Sequence, residues 1–269
     1  MSTSAPVPTQ PRPKRERPVI AIDGPAGAGK STMAAHLARR FGFLNLETGA
    51  MYRAFALKAI QSDHDFDDPQ ALELLANNTD ITLVPDRSGN RVYLDGTDVT
   101  ERIRDSDVTQ GASRVSVHPH IRSWMVDLQR DLGRPGGIVM EGRDIGTVVF
   151  PDADVKVFLD ASPEARSQRR YEQNSGVKDR LSNSGYEQNA GARDHDTLAP
   201  ESGPSHTAVF QELRERDERD RNRANSPLQP APDAIVIDST SLTLDQVLTR
   251  IEDLVRPLLA RRSPAEQFG

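Results

Sequence analysis

GPAGAGKST, residues 24–32, sets Gly24, Gly29, Lys30 and Ser31 at the spacing G-x-x-x-x-G-K-[ST]. The run before it, VIAID (Val19 to Asp23), is short, apolar and β-branched, as a buried strand requires. After Lys30, the apolar residues Met33, Ala34, Leu37, Ala38 and Phe41 recur at helical spacing, and Gly42 supplies a stop. The motif thus stands between a strand and a helix N-terminus, where a glycine-rich loop can cradle phosphate. Glycines at 24, 27 and 29 let the backbone turn tightly and aim N–H groups inward. Gly24, Pro25, Ala26, Gly27, Ala28, Gly29, Lys30, Ser31 and Thr32 are the candidate nucleotide-binding loop. Lys30 reaches the β- and γ-phosphates and is a candidate catalytic residue, and the Ser31 hydroxyl is the candidate ligand of Mg²⁺.

Composition narrows the setting. The chain has 269 residues, enough for one large α/β domain with insertions. Its net charge of −6 and 5% aromatic content argue against a nucleic-acid binder. The absence of cysteine excludes disulfides, thiol catalysis and cysteine-based metal centres. No apolar run is long enough to cross a membrane, and the N-terminus MSTSAPVPTQPRPKRERP lacks the apolar core of a secretory signal. A cytoplasmic monomer without membrane or nucleic-acid partners is expected, with residues 1–17 as a disordered tail.

Strand candidates recur at Val19–Ile22, Ile138–Met140, Val155–Leu159 and Ala234–Ile237, separated by helical stretches. That alternation predicts an α/β fold with a parallel sheet and helices on both faces. Residues 63–117 break the rhythm: ITLVP (81–85) and RVYLDG (91–96) flank DRSGN as a hairpin, followed by a helix carrying Val108, Ala112 and Val115. This reads as an inserted subdomain. Residues 171–209 are polar and rich in Gly, Ser, Asn and Asp, contain YEQN twice, and are expected to be mobile. Asp194, His195, Asp196 and His206 lie there as a possible metal cluster, though nothing fixes their spacing and a solvated loop is the plainer reading.

Four further constellations carry charge. In ETGAMYRA (47–54), Thr48 is placed to cap a helix that bears Arg53. In EGRDIG (141–146), Arg143 and Asp144 follow a strand end, on the sheet edge where open α/β folds bind ligands. ASPEARSQRR (161–170) brings Arg166, Arg169 and Arg170 onto nearby helix faces, suiting a lid over phosphates. ELRERDERDRNRA (212–224) sets Arg216, Arg219, Asp220 and Arg223 at i, i+3, i+4 and i+7. Glu212–Arg216, Glu215–Arg219 and Asp217–Arg221 could pair along that helix as a solvated face. The same arginines could instead form an anion-facing stripe. A kinase acting on a phosphorylated acceptor needs positive charge at both phosphates, and these motifs supply it. No N-K-x-D segment reads guanine, and the acceptor stays open on the residues alone.

The segments IDGPAGAGKST, ETGAMYRA, GASRVSVHPHIR, EGRDIGTVVFPDADVKVFLDAS, RERDERDRNRA and DAIVIDSTSLTLDQVL resemble those of bacterial cytidylate kinases, covering about residues 18 to 255 except 171–209. The resemblance implies a P-loop nucleoside monophosphate kinase fold that uses ATP and Mg²⁺ to phosphorylate CMP or dCMP in pyrimidine nucleotide metabolism. Carried onto this chain, Thr48 stands near the acceptor, and Arg53, Arg143 and Arg223 hold its phosphate, with Arg143 and Arg223 counted as catalytic. Ser113, Arg122 and Asp144 read cytosine, and Arg216 and Asp220 contact the sugar. The division implied is a core of 18–62, 118–160 and 210–258, a CMP-binding insertion over 63–117, a lid over 161–209 and a tail over 259–269. Two departures stand out: Glu47 where the family often has Asp, and a lid longer than the family's.

Overall fold

The computed structural model describes residues 15–86, 89–182 and 206–262. Five parallel strands make the central sheet: β1 (Val19–Asp23), β2 (Leu44–Glu47), β6 (Ile138–Gly142), β7 (Val155–Asp160) and β8 (Ile235–Asp238), in the order β2-β6-β1-β7-β8. A separate antiparallel ladder joins β3 (Ile81–Asp86), β4 (Gly89–Leu94) and β5 (Thr97–Asp98). The helices are α1 (Lys30–Phe41), α2 (Thr48–Gln61), α3 (Pro69–Ala76), α4 (Ser106–Val115), α5 (Pro119–Gly133), α6 (Pro163–Ser182), α7 (His206–Asn222) and α8 (Leu244–Arg262).

Strand periodicity builds the layers. In β1, Val19 and Ala21 face one core with Leu46, Met51, Phe55, Met125 and Met140. Ile20 and Ile22 face a second core with Met33, Leu37, Val157, Leu159 and Ile251. Successive side chains of a strand point to opposite faces, so one fully buried strand serves both layers. Each fully buried Ile or Leu contributes about 1.5–3 kcal/mol. With β1 central, the loop after it and the turn after β6 emerge side by side at one sheet edge.

Local chemistry sets the boundaries. Gly42 ends α1 in the left-handed region (φ 62°, ψ 40°), its N–H donating to the Ala38 carbonyl. Asp68 caps α3 by accepting from the amides of Gln70 and Ala71. Thr48 departs from its expected role: it lies inside α2, and Glu47 holds the cap position without a side-chain bond. The buried Thr48 hydroxyl instead donates to the Glu141 carbonyl at 2.8 Å, pinning α2 to the end of β6. Two segments are more regular than expected. α6 continues to Ser182, so the first YEQN is helical, and α8 passes residue 258 with Leu258 and Leu259 packed on the second core. Residues Asp194, His195 and Asp196, the second YEQN and residues 1–14 lie outside the described residues. His206 stands beside Ser167 (3.3 Å) and edge-on to Tyr171.

The end of the expected N-terminal tail is anchored. Arg17 donates to the carbonyls of Phe41 (3.0 Å) and Gly42 (2.8 Å), and its guanidinium lies 4.7 Å from the Phe43 ring centroid. It closes the C-terminus of α1, where free carbonyls carry partial negative charge. Arg17→Ala is expected to cost about 1–2 kcal/mol, read as a lower urea midpoint at unchanged slope. An unchanged midpoint would mean that water satisfies those carbonyls equally well.

Candidate active site

A cleft of about 1520 Å³ opens along the sheet edge. One small-molecule pocket typically takes about 300–1,000 Å³, so this cleft has room for two ligands. Ala26 to Thr32 line it, whereas Gly24 and Pro25 are not among the lining residues. Gly24 has φ 147°, and a Cβ there would stand 2.0 Å from the Leu159 carbonyl oxygen, so only glycine fits this approach of loop to β7. Gly29, also left-handed, precedes α1 and brings no side-chain cap, leaving the first α1 amides without a side-chain acceptor. Lys30 is buried, and its Nζ donates to the Pro25 carbonyl at 2.7 Å. Burial, then the nearby Arg143 charge, lower its pKa to about 7. A polyphosphate here would restore the charged form.

Behind Lys30, the Ser31 hydroxyl donates to Glu141 Oε1 at 2.9 Å. Glu141 is the last residue but one of β6, beside β1, and burial raises its pKa. Asp23 performs a different task. Its two carboxylate oxygens accept from the amides of Ile145 (2.8 Å) and Gly146 (2.7 Å), tying the turn after β6 to the strand that carries the loop. Burial pushes the Asp23 carboxyl up to about 7. The sequence reading passed over Glu141 and Asp23; a carboxylate closing an otherwise apolar strand is the signal that marks both.

The same cleft also gathers Thr48, Arg53, Ser113, Arg122, Arg143, Asp144, Arg216, Asp220 and Arg223, together with Tyr52. Arg122 and Asp144 form a buried ion pair, and Arg122 also donates to the Ser116 carbonyl at 3.2 Å. Asp220 accepts from Arg143 Nε at 2.8 Å and stands 3.6 Å from Arg223 Nη1. Arg53 pairs with Glu47 at 2.6 Å. Arg216 makes no ion pair or hydrogen bond among the described residues. Burial, then the positive charge of Arg143, lower its pKa to about 10, with Arg53 and Arg170 adding to the effect. A group of cations that depress one another is a site built for an anion. Four buried polar atoms of these residues have no partner: Ser113 Oγ, Arg122 Nε, Arg53 Nε and Arg223 Nη2. Buried polar atoms are nearly always paired, so four orphans lining one cleft point to a polar ligand.

Three arginines and the expected helix pairs fall differently. Arg166 does not line the cleft; it is buried against the back of the loop. Arg169 reaches the cleft wall but binds Ser239 through its hydroxyl (3.1 Å) and carbonyl (2.6 Å). Arg219 is exposed and donates to the Glu215 carbonyl. Of the pairs expected along α7, Glu212–Arg216, Glu215–Arg219 and Asp217–Arg221 form no side-chain ion pair among the described residues. Arg214–Glu218 forms instead, while Asp217 and Asp220 turn inward to Arg166, Arg143 and Arg223. Carboxylates on a helix face that packs inward meet arginines of other elements before those of their own.

The comparisons with known proteins agree with one another. A family model described as cytidylate kinase matches residues 20–208 and 186–257. The chain is 45% identical over 243 residues to a cytidylate kinase of Solibacter usitatus, covering 90% of this chain and 94% of that one. It is 47% identical over 235 residues to one from Pelotomaculum thermopropionicum, covering 87% and 94%. It is 44% identical over 236 residues to one from Geobacillus thermodenitrificans, covering 88% and 95%.

Proposed function

We infer that the chain, which belongs to the cytidylate kinase family, transfers the γ-phosphoryl group of ATP to CMP or dCMP, giving ADP and CDP or dCDP. The observation that carries this reading is the set of unpartnered buried atoms at Ser113, Arg122, Arg53 and Arg223, in a cleft that the phosphate loop also lines. Asp144 can accept from the cytosine N4 amine, which uracil lacks, while Arg122 and Ser113 offer donors to the base acceptors. A site built to hydrogen-bond a substrate group rejects the analogue without it.

An ionised oxygen of the CMP phosphate attacks the γ-phosphorus as the bond to the β–γ bridging oxygen breaks, and ADP leaves with that electron pair. No side chain acts as nucleophile; positioning and charge neutralisation lower the barrier. The loop amides and Lys30 take the donor phosphates. Arg53, Arg143 and Arg223 take the acceptor phosphate, with Arg143 and Arg223 steadied by Asp220, which with Arg216 meets the sugar. The oxygens at Ser31 and Glu141 are hard donors of the kind Mg²⁺ takes, so these residues would hold that ion. When bound, it supplies positive charge to the β- and γ-phosphates. Residues 63–117 serve as the acceptor-side subdomain and residues 161–209 as the lid. Among the described residues no helix is long and apolar enough to cross a membrane, and a cytoplasmic location suits a nucleotide enzyme.

The deciding assay is ADP release with ATP and Mg²⁺ against CMP, dCMP, UMP, AMP and GMP, with an acceptor-free control. Turnover is expected with CMP or dCMP, far slower turnover with UMP, and near-background release without acceptor. Release independent of any acceptor would overturn the reading.

A further inference from the structure

We propose that Arg166 and Asp217 form an internal brace that positions the acceptor-binding helix α7 against the phosphate loop, so that Arg166 serves the acceptor side of the reaction although it touches neither substrate. The proposal rests on the function inferred above. Arg166 is 2% exposed, and each of its three guanidinium nitrogens meets a protein partner. Nε donates to the Ala161 carbonyl at 2.9 Å, Nη1 to the Ala26 carbonyl at 3.0 Å, and Nη2 lies 2.6 Å from Asp217 Oδ2. It therefore joins three elements: the tip of the loop, the end of β7 and the middle of α7.

The surrounding packing makes that junction tight. A Cβ at Gly27 would stand 3.1 Å from Arg166 Cβ and 3.2 Å from its carbonyl oxygen, so the loop tip lies directly on α6. Ala26 packs with Val209 and Leu213 of α7 in a small buried cluster. Asp217 follows Arg216 in sequence and stands one helical turn before Asp220. Fixing Asp217 thus fixes the pitch and rotation of the helix that presents Arg216 and Asp220 to the cleft, with Arg223 just past its end. The Asp217 Oδ1 atom is buried without a partner, so its orientation depends on Arg166 alone among the described residues. A rigid guanidinium fork suits this task, because its donors are held in fixed directions.

The brace predicts a split between substrates. Misplacing reacting groups by about 1 Å can cost about 10²-fold in rate. Asp217→Asn keeps the shape of the pair and leaves the Arg166–Ala26 bond available, but removes the charge that locks α7. It is expected to lower kcat/KM for CMP by about 10- to 100-fold, while KM for ATP changes by less than about three-fold. Arg166→Met is expected to lose at least as much. The double variant Arg166→Met/Asp217→Leu removes both charges together, avoids a lone buried ion, and is expected to lose no more than Arg166→Met does, because the two residues act as a unit. Thermal melting of each variant tracks folding separately, and a purely structural loss would lower the folded fraction without moving kcat/KM for CMP per folded molecule. The proposal is overturned if Asp217→Asn phosphorylates CMP as the parent does, or if its defect appears in KM for ATP instead. Failure of the unmodified protein to turn over CMP would sink the function reading, which the parent assay reports independently of these ratios.

Discussion

Replacing Lys30 by Met is expected to lower kcat about 10³-fold, roughly 4 kcal/mol of transition-state stabilisation, and to leave CMP binding nearly unchanged. The charge sits in the first residue of α1, beside the loop proposed to cradle phosphate through its amides, so its loss would remove a cation and leave the cradle. The variant should fold at least as well as the parent. Burial lowers the Lys30 pKa to about 7, which means the protein holds the charged form at a cost, and an unbranched Met fills the same space without it. Lys30→Arg should not rescue activity, since a planar fork cannot occupy the 5%-exposed slot that ends at the Pro25 carbonyl. The pH dependence has a definite sign. In the free protein Lys30 loses its proton as pH rises through about 7, so kcat/KM for ATP should fall on the alkaline side. Single-turnover rates of the parent and Lys30→Met at matched saturation decide the matter. A variant retaining more than about a tenth of the parent rate would place Lys30 away from the transferring group.

How far the sequence carries depends on whether a feature is local. The strand–loop–helix unit from Val19 to Phe41 is legible because strand period, glycine spacing and helix period occupy one continuous stretch. The hairpin of β3 and β4 is legible for the same reason. β2 is not: LNLE is four residues long, buries only Leu46 fully, and exists because it can pair with β6 at the far side of the chain. The site divides in the same way. Thr48, Arg53, Arg143, Asp144, Arg216 and Arg223 stand in recognisable motifs, and the structure brings them to one cleft. Their partners lie far off in sequence and could not be read from spacing: Asp217 turns to Arg166, Asp144 to Arg122, and Asp23 to the amides after Asp144. A periodic count assigns neighbours on one helix, whereas burial of a helix face reassigns them. Arg166 shows the consequence most clearly. Its place among three arginines suggested a phosphate contact, whereas each of its three guanidinium nitrogens is turned to a protein partner, away from the cleft lining.

Asp144→Asn should narrow the preference for CMP over UMP by about 10²-fold or more, nearly all of it through slower use of CMP. Asp144 is 7% exposed and accepts from Arg122, so in the proposed pose the pair would present the base with a carboxylate oxygen largely shielded from water. An amine donor on the base satisfies that oxygen. The carbonyl that uracil carries at the same place meets a negative charge and leaves both acceptors unpaired, a loss that protein interiors penalise strongly. Asparagine has nearly the same shape but can turn either its carbonyl or its amide to the base, so it accepts from cytosine less well and no longer repels uracil. It also keeps an acceptor for Arg122. Alanine does not: a buried guanidinium without its partner costs about 3–5 kcal/mol, and the fold itself would confound the result. KM for ATP should move little, because Asp144 is bonded to Arg122 and to no residue of the 24–32 loop. The two values of kcat/KM, for CMP and UMP, are the measurement. If their ratio stays at the parent's value, the base is read by Ser113 and Arg122, and Asp144 serves only to hold Arg122 in place.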